Sequence, residues 1–398
     1  MIHIKDYPFE VYDNRDGKVV MYAKKKLEKG DILSNENFLR LDFTQPKAGE
    51  KLDFEFNIDN TPYSFRPRRI RVFGHPWHLA HQYELSKIPF LDWTWLIQYK
   101  RPYSKHSRGD FMKNWVTHYE PGKYDVAVLH LDQQCIEPEL WTRGKGSLYR
   151  ELNEVIKDIP KVVIMHGTTY YPEKFSRDEI IERVKEIVGD NPMVTNSRQC
   201  AKDFGFGTPI IHGLDPKEWK DLPKEPRVVT MISPGGLDKY YDRAFLEAIR
   251  EELLERDIHH CHITVDWQAK DWDDYVNFLG RSLIYINPCA DSPMPRSRTE
   301  AMLSGCCVLT TPWQDAGDFI KHGVNGYIIG DRERGIARDP VAVADLVERL
   351  LENYEVAIKV GQEGKKTALE TFTVANYHRQ WKELLENVLK TKIDYEAK

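Results

Sequence analysis

The sequence predicts an α/β protein in which two doubly wound parallel sheets follow one another, preceded by a small β-rich appendage. Three observations carry that expectation. The strand-like segments are continuous apolar runs and do not alternate, which is how strands covered on both faces of a parallel sheet read. Helical segments separate them, in the spacing of βαβ units. The alternation occurs twice, on either side of the proline-containing stretch Leu222-Pro223-Lys224-Glu225-Pro226.

The appendage covers residues 1–67. β-type runs at 19–22 and 53–58 are split by turn signals at Asn14-Arg15-Asp16-Gly17 and Lys29-Gly30-Asp31, with no helical period. From Arg68, strands are expected at 70–74, 124–130, 161–166 and 193–196, with helices at 77–85, 146–157 and 177–188. The second alternation gives strands at 228–232, 261–265, 283–287, 307–310 and 326–329, and helices at 241–254, 272–278 and 298–304. A last helix over 375–389 sets Tyr377, Trp381, Leu384, Leu385 and Val388 at helical spacing. The expected units are residues 1–67, residues 68–222 completed by 372–390, and residues 223–371.

Composition narrows the class. With 398 residues, 41% hydrophobic and 30% charged, the chain is soluble in type and can bury sizeable cores. No apolar run approaches a membrane span, and the N-terminus lacks a signal-peptide pattern, so a cytoplasmic protein is expected. A net charge of −5 disfavours a nucleic-acid binder. Cys135, Cys200, Cys261, Cys289, Cys306 and Cys307 form no C-x-x-C pair, which argues against a structural zinc site and a disulfide framework. Asp273-Asp274 reads as a solvated helix start before a metal-binding pair, and Lys24-Lys25-Lys26 as a solvated face. The aromatic and cationic run at 90–103 reads as a packed helix or loop with snorkelling Lys and Arg. Contact with an acceptor sugar or with the inner face of a membrane is its alternative.

The chemistry gathers where parallel strands end, since ligands of doubly wound sheets sit at the carboxyl ends of strands. The segment from Asn287 to Thr311 runs strand, loop, helix, strand. Backbone N–H groups at that helix start favour an anion such as a diphosphate. Glu300, expected on the first helical turn, could accept two hydrogen bonds from vicinal ribose hydroxyls. Gly305 closes the helix. His166 ends another parallel strand. Taken alone it is as readily a hydrogen-bonded structural histidine.

The Asn287–Thr311 stretch, with Gly317-Asp318-Phe319-Ile320-Lys321-His322-Gly323-Val324-Asn325-Gly326 downstream, resembles the donor-binding region of retaining GT-B glycosyltransferases, family 4 in particular. The strand and helix from Met193, the linker Pro209-Ile210-Ile211-His212-Gly213-Leu214-Asp215-Pro216 and the closing helix are similar too. The resemblance implies two Rossmann-like domains facing a cleft, a nucleotide-sugar donor (UDP- or GDP-linked), a glycan or lipid-linked acceptor, and no required metal or other cofactor. Glu300 matches the second glutamate of the family's Glu-x7-Glu motif, which holds the donor ribose. The first would fall at Ser292, with Asp291 beside it as the substitute carboxylate. The segment of Ser292, Met294, Arg296, Ser297, Arg298 and Thr299 would face the sugar and phosphates. His166 matches a histidine near the transferred sugar. Lys239, with Arg243 a helical turn later, stands where the family holds the diphosphate, next to Gly235 and Gly236. A fixed cation there would do what a metal does elsewhere. His75, Trp77, His78, His130, Asp132 and Thr168 are expected on the opposite wall. Residues 18–38 resemble a SAF-type module.

The expected activity is therefore retaining glycosyl transfer. A non-catalytic binder on a degenerate fold is the alternative, motivated by Ser292. A nucleotide-sugar epimerase comes third.

Overall fold

The computed structural model describes residues 8–13, 18–25, 38–40, 63–97, 111–137, 144–171, 174–262, 269–330, 338–393 and 395. The appendage contributes β1 (Phe9–Asp13), β2 (Val19–Ala23), β3 (Phe38–Arg40) and β4 (Tyr63–Pro67), an antiparallel sheet in the order β3-β2-β1-β4. The strand expected at 53–58, the two turn signals and most of the 18–38 segment lie outside the described residues.

The first large unit comprises β5 (Ile70–Gly74), α1 (Leu79–Ser86), β6 (Leu91–Leu96), β7 (Trp115–Val116), β8 (Val126–Leu131), α2 (Gly144–Val155), β9 (Lys161–Met165), α3 (Arg177–Val188), β10 (Met193–Thr195), α4 (Arg198–Phe204) and β11 (Thr208–Pro209). Its sheet runs β11-β10-β9-β8-β5-β6-β7 with parallel pairing throughout. β8 is buried along its whole length, which is why it reads as an unbroken apolar run. Local chemistry sets the helix ends. Ser176 and Glu179 form a capping box before α3, and Ser197 caps α4, which stops at Gly205 in the left-handed region.

The second unit comprises β12 (Glu225–Thr230), α5 (Pro234–Tyr240), α6 (Arg243–Glu255), β13 (His260–His262), α7 (Trp272–Arg281), β14 (Ser282–Asn287), α8 (Arg296–Leu303), β15 (Cys307–Thr310), α9 (Ala316–Phe319), β16 (Tyr327–Ile328), α10 (Pro340–Glu352) and α11 (Tyr354–Thr371), followed by α12 (Val374–Leu389). Its parallel sheet runs β13-β12-β14-β15-β16. Each sheet carries apolar cores on its faces. Ile210 packs in a core of the first sheet, while Ile211, Leu214 and Trp219 pack in a core of the second. α12 returns to the first unit: Tyr377, Trp381, Leu384 and Leu385 are buried with Ile70, Val72 and Trp93.

The structure differs from the sequence expectation in four places. Residues 91–96 are strand β6, neither helix nor loop. Leu91, Trp93 and Trp95 are buried on one face with Asp92 exposed between them, and the two indoles stack at 4.5 Å. The helix expected over 241–254 is α6, starting at Arg243 because Tyr241 is extended and Asp242 caps at the Phe245 N–H, and a separate helix, α5, for which the periodicity reading had no element, precedes it. Helices α10 and α11 fill residues for which the periodicity reading had no element. Glu300 lies on the second turn of α8, since that helix begins at Arg296.

Candidate active site

Each sheet reverses its order once, and there the loops splay apart to leave a crevice. In the first sheet the reversal lies between β5 and β8, which places His75, His130 and Asp132 at the carboxyl ends. In the second it lies between β12 and β14, so Ser233 and the 288–295 segment lead out of it. Side chains join the two walls. The Asp291 carboxylate accepts from Gln133 Nε2 at 2.5 Å and from the Thr168 hydroxyl. Arg296 donates to Glu84 at 2.7 Å and to the Ala80 carbonyl at 3.2 Å. Asp315 accepts from the backbone N–H groups of Arg198 and Gln199 at 2.8 and 2.7 Å, at the N-terminus of α4.

The first wall is rich in histidine. His130 is fully buried, and its Nδ1 lies 2.9 Å from Nε2 of His166. Its other ring nitrogen lies 3.2 Å from the side-chain nitrogen of Gln82. The Gln82 oxygen accepts from the backbone N–H of Trp77 at 3.1 Å and of His78 at 2.6 Å. His75 Nε2 accepts from the His130 backbone N–H at 3.3 Å. The Trp77 indole lies nearly parallel to the rings of His130 and His166, at 6.0 and 5.7 Å. His81 meets the His166 ring edge-on at 5.1 Å. Burial holds the His81 imidazole neutral, with a pKa lowered to about 3, and the neighbouring His78 and Arg296 act in the same direction. One ring nitrogen from each of His81, His130 and His166 falls within 4.8 Å of the others, a spacing at which a metal ion could be held.

Asp132, also fully buried, accepts from the Gln134 N–H at 3.0 Å and so shapes the turn that presents Gln133. Gly167 lets the chain pass that turn, because a Cβ there would lie 1.8 Å from the Gln133 side-chain oxygen.

On the second wall Arg296 Nε donates to Glu300 at 2.7 Å, and the Tyr275 hydroxyl reaches the other carboxylate oxygen at 3.4 Å. Burial acts to raise the Glu84 pKa, but Arg296 and Lys87 outweigh it and bring it down to about 2. Burial likewise acts against the charge on Arg296, and Glu84 with Glu300 reverses that and raises its pKa. Arg298 is fully buried, with Nη2 3.5 Å from the Met294 sulfur and the guanidinium 4.9 Å over the Phe319 ring. The Thr299 hydroxyl lies 3.0 Å from His212 of the linker. Met294 is buried, and Ser292 and Ser297 are half-buried in the same segment.

Gly235 and Gly236 occupy the first turn of α5, whose cap is Ser233. Lys239 lies further along α5, and its side chain falls outside the described residues. Arg243 does not follow it one turn later on the same face, as the sequence suggested. The break at Tyr241 puts it on α6, where it pairs with Asp238 on the surface.

Five of the residues that build the cleft were absent from the candidate set: His81, Gln82, Glu84, Gln133 and Asp315. A signal existed for one. His75, His78 and His81 recur every three residues, which turns histidines toward one side of a helix start. The amides and carboxylates carry no such pattern, because their partners lie far away in the sequence.

Residues 239–384 match a family model described as glycosyl transferase-like. No curated protein matches the sequence. Among solved structures, the Anabaena protein HepE in complex with UDP-glucose is similar over 80% of this chain and 100% of its own, at 13% identity and a TM-score of 0.57. Sucrose-phosphate synthase from Thermosynechococcus elongatus covers 81% of this chain and 100% of its own, at 11% identity and a TM-score of 0.57. A glycosyltransferase from Rickettsia africae gives the same coverage at 12% identity and a TM-score of 0.53. The fold is that of the GT-B glycosyltransferases, two Rossmann-like domains with parallel sheets.

Proposed function

We propose that the protein is a retaining glycosyltransferase that moves a sugar from a UDP- or GDP-sugar to a hydroxyl of a glycan or lipid-linked acceptor, without a required metal, in the cytoplasm. One observation carries the reading: Asp291, in the loop that leads into α8 and Glu300, is bonded to Gln133 and to Thr168, two residues after His166, beside the crevices where the sheets reverse. The family match over residues 239–384, which include Asp291 and Glu300, and a structural neighbour crystallised with UDP-glucose support it.

The residues divide the work as follows. Glu300 receives the ribose hydroxyls. The N–H groups at the start of α8 and the cation at Lys239 take the diphosphate charge. The anomeric carbon then loses its bond to the diphosphate oxygen and gains one to the acceptor oxygen on the same face. The acceptor's proton passes to the departing diphosphate. His166 and Asp291 flank the developing positive charge. Asp291 does so from a carboxylate already fixed by two donors, so it needs no reorganisation in the transition state.

A panel of UDP-, GDP- and ADP-sugars screened by thermal shift tests the donor class. At least one should raise the melting temperature and be turned over or slowly hydrolysed. No shift with any of them would sink the reading. Glu300→Ala should weaken nucleotide affinity about 10- to 100-fold, the loss of charge-assisted hydrogen bonds worth roughly 1.5–3 kcal/mol; unchanged affinity removes Glu300 from the site. The second reading, a binder without catalysis, is favoured by Ser292 standing where the family carries a carboxylate. Saturable nucleotide-sugar binding with no transfer and no hydrolysis would select it.

A further inference from the structure

We propose that Gln82 is a positioning residue that fixes which nitrogen of His130 carries its proton and, through His130, fixes the tautomer of His166. The orientation of the Gln82 amide is dictated from outside the ring pair. Its oxygen accepts two backbone N–H groups, from Trp77 at 3.1 Å and His78 at 2.6 Å. Turned over, the amide would set its own N–H groups against those two donors. The nitrogen end must therefore face His130, and at 3.2 Å it donates to Nε2. A ring nitrogen that accepts carries no proton, so neutral His130 holds its hydrogen on Nδ1. That hydrogen points along the 2.9 Å contact to His166 Nε2, which accepts it, leaving the His166 hydrogen on its own Nδ1. The same amide excludes the imidazolium form of His130, because a proton on Nε2 would face a donor. His130 and Gln82 are both fully buried, so water does not compete for either contact.

Three consequences follow. His166 can donate a hydrogen bond from Nδ1 to an oxygen of a ligand, but its Nε2 lone pair is spent and cannot serve as a base. Protons cannot leave by this route, since the chain ends at an amide that does not titrate. And the three-nitrogen cluster with His81 cannot take a metal through the His130–His166 contact while Gln82 keeps the hydrogen there. The role toward a sugar oxygen rests on the proposed function; the tautomers do not.

Long-range 15N–1H spectra of the histidine rings in the full-length protein, assigned with His130→Asn and His166→Asn, read the tautomers directly. The Nδ1–H form is expected for both rings in the wild-type protein at pH 7.5, although free neutral histidine favours the other. Gln82→Glu supplies an acceptor where the amide donated and should invert both rings to Nε2–H. Gln82→Leu should leave a mixture. Nε2–H at His130 in the wild-type protein would overturn the proposal whether or not the variants fold, as would rings unchanged in a folded Gln82→Glu. Stoichiometric binding of zinc by the wild-type protein with loss of the His130 Nδ1–H signal would overturn it as well. None of these spectra needs a substrate, so a protein without transferase activity would count against the proposed function and leave the tautomer assignment standing.

Discussion

Arg296 is committed three ways, to Glu84 and the Ala80 carbonyl on the first wall and to Glu300 on its own helix. Two buried carboxylates thus depend on one guanidinium, whose fork can meet both at once. Removing it takes a charged partner from both carboxylates and leaves Glu84 to Lys87, at 2.9 Å, and Glu300 to the Tyr275 hydroxyl, which costs about 1.5–3 kcal/mol for each charge-assisted bond lost. Arg296→Ala should therefore lower the melting temperature sharply. Glu84→Gln in the same chain should restore part of the loss by removing one of the two buried negative charges. A single variant as stable as wild type would show that the bridge carries no weight. At this scale the sequence was partly legible. Glu300 and His166 could be singled out because they sit in motifs with a fixed place on strand and helix. Gln133 could not, because its partner Asp291 is 158 residues away and an amide has no characteristic spacing.

Among elements, the linker and the closing helix constrain one another. At Gly213 a Cβ would stand 2.6 Å from both the Thr373 carbonyl oxygen and the Tyr377 Cβ, closer than side chains pack, and the obstacle includes backbone. Gly213→Ala should push the start of α12 away and destabilise the protein by about 1–3 kcal/mol, read as a lower midpoint in urea. An unchanged midpoint would mean that the helix start yields freely. The helices and strands with strong local signals were legible: α3 falls where its capping box and closing glycine put it. Strand β6 was not, because its period-two burial is short and runs on into mixed aromatic and cationic sequence. Helix α5 was missed because Pro234-Gly235-Gly236 reads as a turn, although Pro in the first turn after the Ser233 cap is compatible with a helix start; the cap at Asp242 separates it from α6.

Over the whole molecule, burial keeps several histidines neutral. The pKa of His81, His212 and His260 is lowered to about 3, and that of His378 to about 4. The unfolded chain protonates these rings near pH 6.5. Below that pH the unfolded state binds protons that the folded state refuses, so their contribution is complete above pH 6.5 and declines as the pH falls toward 3. The decline is up to about 1.4 kcal/mol per ring per pH unit. Glu84 weakens the fold only below its unfolded value near 4.5, so a drop between pH 6.5 and 5 belongs to the histidines. Melting temperatures at pH 7.5, 6.5 and 5.5 should be flat across the first step and fall across the second. A flat profile to pH 5 would contradict the burial. The two-sheet architecture was legible at this scale, since two alternations of apolar strand and helix admit few other arrangements. The contacts that close the cleft were not, since they join loops that only the finished fold brings together.

The return of α12 to the first unit bears on how the chain is made. A domain made early on the ribosome can ordinarily fold before the next one follows. Here Trp381 and Leu385 belong to the core of the sheet that begins at Ile70. Until those residues emerge, the first sheet must wait with an apolar face uncovered while the whole second unit is synthesised and folds. The first half of the molecule to be translated is thus the last to be sealed, and during that interval it is the half exposed to chaperones, proteases and aggregation.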